Sequence, residues 1–111
     1  MKDFLDKLFN LFPDFSSDWD IDEFSYIFFG DFARFIIERS GSINIKDVDC
    51  VINLFLKAPF LRENKENIVI VGFLEVLHDD IDTYNELTEK SSDTLKEIFN
   101  KYLNNIGAVS D

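Results

Sequence analysis

The chain has one cysteine, one histidine, two prolines and four glycines in 111 residues. Each scarcity excludes something. A lone Cys50 cannot close an internal disulfide, so a reducing, cytoplasmic setting is expected and the core alone has to hold the fold. A lone His78 leaves no second imidazole for a His-paired metal set. So little glycine and proline leaves little room for long irregular segments. Bases are short as well, with 11 Lys and Arg against 22 Asp and Glu and a net charge of −11. A surface of that sign repels nucleic acid and anionic membranes and attracts cationic surfaces. No apolar run approaches the ~18 residues of a membrane span, and Asp3 and Asp6 interrupt the start in a way that argues against a signal peptide. Phosphate-binding glycine loops, zinc spacings and nucleophile elbows do not occur.

What is present is core material. Hydrophobic residues make up 46%, including 13 Phe, one Trp and three Tyr, against 30% charged residues. That balance describes a globular chain, and residues 1–111 are expected to form a single domain. Charge is uneven. Residues 1–40 carry a net of −5, residues 41–78 a net of −1, and residues 79–111 a net of −5. The neutral, apolar middle reads as the hidden part.

Helical spacing recurs along the chain. Phe4, Leu5, Leu8, Phe9 and Phe12 form one stripe that Pro13 ends. Asp20 and Glu23 have capping-box spacing, with Trp19 and Phe24 placed as a hydrophobic staple, so a second helix is expected from there to Glu38. Gly30 lies inside it, as a kink or a close contact, and Ser40-Gly41-Ser42 stops it. Asn44 caps a third helix, with Ile43 and Val48 as its staple and Val51, Ile52 and Phe55 continuing its stripe to Pro59. Residues 60–67 read as a polar connector. Residues 68–77, IVIVGFLEVL, predict a helix apolar almost all round and therefore central, with a strand over the β-branched start as the alternative. Residues 79–87 read as a turn and a short helix with Tyr84 and Leu87 inward. Ser91 or Ser92 caps a last helix with Leu95, Ile98, Phe99, Tyr102, Leu103 and Ile106 on one stripe, Gly107 as its stop, and Glu97 paired with Lys101. The expected fold is all-α, a compact bundle of five or six short antiparallel helices around residues 68–77.

No catalytic residue, metal ligand set or cofactor site emerges. Asp18, Asp20 and Asp22 alternate like the first EF-hand ligands, but Glu23 stands at the glycine position and Phe29 at the bidentate-glutamate position. His78 is expected as a helix C-terminal residue favoured by the dipole, and Cys50 as a buried structural thiol. Two acidic patches remain as candidate partner-binding surfaces. The first is Asp14, Asp18, Trp19, Asp20, Asp22 and Glu23, an aromatic anchor among carboxylates. The second is Asp79, Asp80, Asp82, Tyr84 and Glu86. Interface anchors favour Trp, and steered encounters favour charge.

The segments GDFARFI (residues 30–36) and NIVIVGFLEVL (residues 67–77) resemble small acidic helical immunity proteins of bacterial contact-dependent and polymorphic toxin systems. The resemblance implies a cytoplasmic, non-enzymatic inhibitor that binds a basic cognate toxin, often a nuclease, and neither nucleic acid nor membrane. The alternative is an acidic interaction module or regulatory subunit with no toxin partner.

Overall fold

The computed structural model describes residues 2–21, 23–39, 41–58 and 65–110, the side chains of Lys2 and of residues 104–110 excepted. Where the sequence carries a local cap and a clean stripe, the helix forms as expected. In α3 (Ile45–Lys57) the Asn44 side chain accepts the Lys46 N–H at 2.9 Å. Its buried face is Ile45, Val48, Val51, Ile52 and Phe55. In α1 (Lys2–Leu11), Phe4 and Leu8 are buried, and Phe12 just beyond it is buried too. α5 (Ile81–Lys90) starts where the Asp80 carboxylate accepts the Thr83 N–H, and it turns Tyr84 and Leu87 inward. α6 (Asp93–Ser110) buries Leu95, Ile98, Phe99 and Tyr102.

Residues 65–77 form α4, and this segment is central. It opens with an α turn at Lys65–Asn67, runs as a π-helix over Ile68–Leu74 and closes with an α turn at Glu75–Leu77. Ile68, Val69, Phe73, Leu74 and Leu77 are wholly buried. The Glu75 N–H reaches back five residues to the Ile70 carbonyl, the π register. Four β-branched residues in a row, Ile68 to Val71, crowd an α turn, and the wider π turn gives them room. Gly72 then lies against α2 (Ser25–Glu38), where a Cβ would stand 2.8 Å from the Tyr26 carbonyl oxygen. Gly30 of α2 faces the Gly72 carbonyl. The glycine expected to kink α2 or allow a close contact lies at the crossing, but at ordinary distances, and the tight approach is at Gly72.

Phenylalanine rings tie the helices together. Phe4 of α1 packs on Phe29 and Phe55. Phe29 packs on Phe55 at 4.5 Å, and Phe32 packs on Phe73 at 5.8 Å. Further along α1 the partners advance along α2, because Phe12 meets Phe32 and Phe35. So α1 and α2 run in the same sense, while α3 opposes α1. The described residues between them, 12–21 and 23–24, therefore double back along α2. Phe15 packs on Phe35, Phe32 and Phe28, the Ser17 hydroxyl donates to Asp31 at 2.7 Å, and Trp19 meets Phe24. This returning ribbon is the element that builds the surface described below. The Cα radius of gyration is 13.2 Å, the ~13 Å expected for a compact chain of this length.

Several boundaries differ from expectation. α2 begins at Ser25, not after Asp20. The Phe24 N–H closes a single turn on the Asp20 carbonyl at 2.7 Å, and Phe24, with φ −131° and ψ 49°, interrupts the helix. The Phe24 side chain at the N-cap position makes no capping hydrogen bond. Gly41, at φ +92°, does end the second helical segment, since a left-handed residue at that point costs glycine little. Lys65–Asn67 are helical rather than connector. α6 continues past Gly107 to Ser110. Ser91 and Ser92 are used otherwise than as simple caps. Ser91 donates to the Leu87 carbonyl, while the Ser92 N–H and hydroxyl both donate to the Asp49 carboxylate of α3. Lys101 pairs with Glu66 across helices at 2.6 Å rather than with Glu97. Leu103 and Phe9 are exposed, and Cys50 is half-buried. Asp22, Pro59 and residues 60–64 of the expected connector lie outside the described residues, as does the side chain of Ile106.

Candidate binding face

The returning ribbon and the outer face of α2 form one strip, and the first acidic patch divides along it. At one end Trp19 is 44% exposed and Phe24 41% exposed, their rings edge to face at 5.0 Å. Ile27, one turn further along α2, is 42% exposed. Three large apolar side chains, two of them in ring contact, thus stand in solvent along this strip. Asp18, Asp20 and Glu23 are exposed around them. Trp19 is held by its backbone, since its N–H donates to the Ser17 hydroxyl at 3.2 Å, and that hydroxyl is itself tied to Asp31. The expected staple therefore forms as a ring contact, but it faces water rather than the core.

Asp14 lies elsewhere. It lines two grooves at the C-terminal end of α2, of about 300 and 340 Å³, which share Asp14, Phe35 and Arg39 as walls. The Arg39 guanidinium lies 4.2 Å above the Phe35 ring. Sequence reasoning did not single out Arg39, because a base at a helix end is ordinary. Its stacking on Phe35, four residues before it, was the available signal.

The second patch is partly dismantled by the structure. Tyr84 is only 3% exposed, so it offers no contact surface. Its hydroxyl is buried without a hydrogen-bond partner among the described residues. Burial, then the neighbouring Tyr102, pushes its pKa up to about 12; the nearby Thr88 hydroxyl acts the other way, but it donates to the Tyr84 carbonyl at 2.8 Å rather than to the phenol. Asp80 is half-buried and committed to its cap, and Glu86 pairs with Lys90 at 3.4 Å. Asp79 and Asp82 remain exposed. His78 stands at the end of α4 with its ring edge-on to Tyr84 at 4.8 Å and near Tyr102 at 5.8 Å. It packs against these two rings. Among the described residues, no three His, Cys, Asp or Glu side chains converge as a metal site, and no helix is long and apolar enough to cross a membrane.

The chain belongs to the family described as a domain of unknown function, DUF7674, whose model matches residues 5–106. That match runs from α1 into α6, so the Trp19 face and the Arg39 grooves both lie within the family domain. No curated protein and no solved structure matches the chain.

Proposed function

We propose that this chain is a non-enzymatic inhibitor of the immunity-protein kind, acting in the cytoplasm, which docks on a basic toxin domain of nuclease type and covers its active site. The observation that supports this reading is the exposed Trp19–Phe24–Ile27 cluster among carboxylates. Large apolar side chains held in water and flanked by carboxylates have the composition of an interface anchor with a steering rim. The field around it is unopposed in sequence, because residues 8–33 contain six acids and no Lys or Arg. Carboxylates of the rim would stand where substrate phosphates sit on such a toxin, and the apolar cluster would hold the complex.

The test is co-expression with basic toxin domains encoded at the same locus, reading growth and association kinetics. Reversing Asp18, Asp20 and Glu23 together changes the net charge from −11 to −5, at two charges per site. The on-rate at low salt should fall about tenfold, and growth protection should weaken. Trp19→Ala should act on the off-rate, costing about 2 kcal/mol or ~30-fold in affinity. Reversal of Asp79 and Asp82 should do less. Unchanged affinity and protection after reversal of both patches would refute capping by charge. Failure of every basic domain from the locus to bind would instead favour the regulatory-module reading.

A further inference from the structure

We propose that the groove between the ends of α1 and α2 and the start of α3 is a separate small-ligand site that takes a dipolar ion, an α-amino acid or a short peptide with both ends free. The groove holds about 300 Å³ and is lined by Phe12, Asp14, Phe35, Arg39, Asn44 and Asp47, among others. That is the lower end of ligand-site volumes, which suits a small occupant. Its lining joins apolar side chains with charged ones.

The charges on the rim are not spent on one another. Arg39 forms no ion pair among the described residues, although Asp14 and Asp47 line the same groove. The guanidinium carbon lies over the Phe35 ring instead, 4.2 Å from its centroid. A guanidinium held against a ring still has N–H groups to offer a carboxylate in two places. The backbone adds to the contrast. Arg39 is the C-cap of α2, so that helix's C-terminal partial negative charge opens here, and Asn44 is the N-cap of α3, so its N-terminal partial positive charge opens here too.

This arrangement selects against single charges. A bare anion that meets Arg39 also meets two carboxylates in a protein of net charge −11. A bare cation that meets Asp14 and Asp47 also meets Arg39. A ligand with its carboxylate on Arg39 and its ammonium on Asp14 or Asp47 satisfies both, while an apolar side chain covers Phe12 and Phe35. The site stands apart from the Trp19 face and does not depend on the partner reading.

The experiment is a two-dimensional NMR titration of the full chain, following the Arg39 Nε–H and the Ser42 and Asn44 amides. The probes are L-leucine, leucyl-leucine, N-acetyl-L-leucine and L-leucine amide. The two zwitterions should give saturable shifts, and whichever binds tighter tells whether a free amino acid or a peptide is the source. The acetylated and amidated forms, each with one charge, should bind at least tenfold more weakly. Arg39→Met should abolish the shifts in a chain whose circular dichroism is unchanged. If that variant fails to fold, the Asp14→Asn, Asp47→Asn double variant decides, since it should reverse the preference in favour of N-acetyl-L-leucine. Reversing Asp18, Asp20 and Glu23 should leave the titration unaltered, which separates this site from the partner face. No saturable shift with either zwitterion, or equal binding of N-acetyl-L-leucine and L-leucine to the native chain, would overturn the assignment.

Discussion

Replacing Gly72 by alanine tests the packing at the centre of the molecule. The new Cβ would fall 2.8 Å from the Tyr26 carbonyl oxygen, 3.1 Å from the Tyr26 Cα and 3.3 Å from the Phe29 Cβ. Two of these atoms are backbone, so no rotamer change relieves the clash. α2 and α4 have to separate by several tenths of an ångström. A gap of ~0.5–1 Å already forfeits a quarter to a half of each dispersion contact across it. The contacts at risk are the densest in the protein, with Phe29 and Phe32 both against Phe73. Overpacking costs ~1–3 kcal/mol, and a clash with rigid backbone falls in the upper part of that range, ~2–3 kcal/mol. Against it stands the gain of ~1 kcal/mol from replacing a helical glycine. The net loss should be ~1–2 kcal/mol, or ~4–15 °C in melting temperature. Gly30→Ala is the control. Its Cβ would meet the Gly72 oxygen at 3.5 Å and the Val76 side chain at 3.7 Å, both ordinary distances. That variant should keep the helix-propensity gain and be stabilised by up to ~1 kcal/mol. Urea unfolding followed by far-ultraviolet circular dichroism measures both, with an unchanged slope confirming that only stability has moved. A Gly72→Ala protein as stable as the native one, or a Gly30→Ala loss of equal size, would refute the close crossing.

Phe73→Ala should cost ~3–5 kcal/mol in the same assay, because the ring is wholly buried and a cavity replaces it. Tyr84→Phe should be neutral or stabilising by ~1 kcal/mol, since it removes a buried hydroxyl with no partner. The same residue sets a pH limit. With its pKa raised to about 12 in the fold from 10.0 when free, the native state holds the proton longer. Its stability contribution is complete below pH ~10 and is lost as pH rises towards 12. Tyr84→Phe should therefore reduce the loss of stability over that window, leaving the smaller contribution of Tyr102, whose pKa is raised by burial and then by Glu75 and Asp79. Asp49→Ala should cost ~1–2 kcal/mol by leaving the α6 start and the Asn53 amide without their shared acceptor, as measured by thermal melting.

Local signals were legible in the sequence and non-local ones were not. The Asn44 cap and the Val48–Phe55 stripe act within one or two turns, so α3 appears where its residues place it. The burial of residues 68–77 was equally legible, because a segment with one charge in ten residues has nowhere else to go. Its π register was not, since it also depends on Gly72 meeting the α2 backbone across the core. The start of α2 misled for a related reason. Asp20 and Glu23 do begin a helical turn, but Phe24 leaves helical geometry and the helix resumes one residue later. The two ends of the first patch were grouped because they are close in sequence. The ribbon that carries them doubles back over Phe15, so Asp14 and Trp19 come to lie at opposite ends of α2. Tyr84 was legible as an inward residue of α5, and that same inward position removes it from any contact surface.

The placement of the one tryptophan has an optical consequence. Trp19 dominates the intrinsic fluorescence of the chain, and it is already 44% in water in the native state. Its emission is therefore a poor thermometer of unfolding, since the core of phenylalanine rings can come apart with little change of colour. The same indole becomes a selective beacon for whatever settles on the Phe24–Ile27 face. A blue shift on mixing would report that docking directly, without a label, while occupation of the Arg39 groove at the far end of α2 would leave it dark.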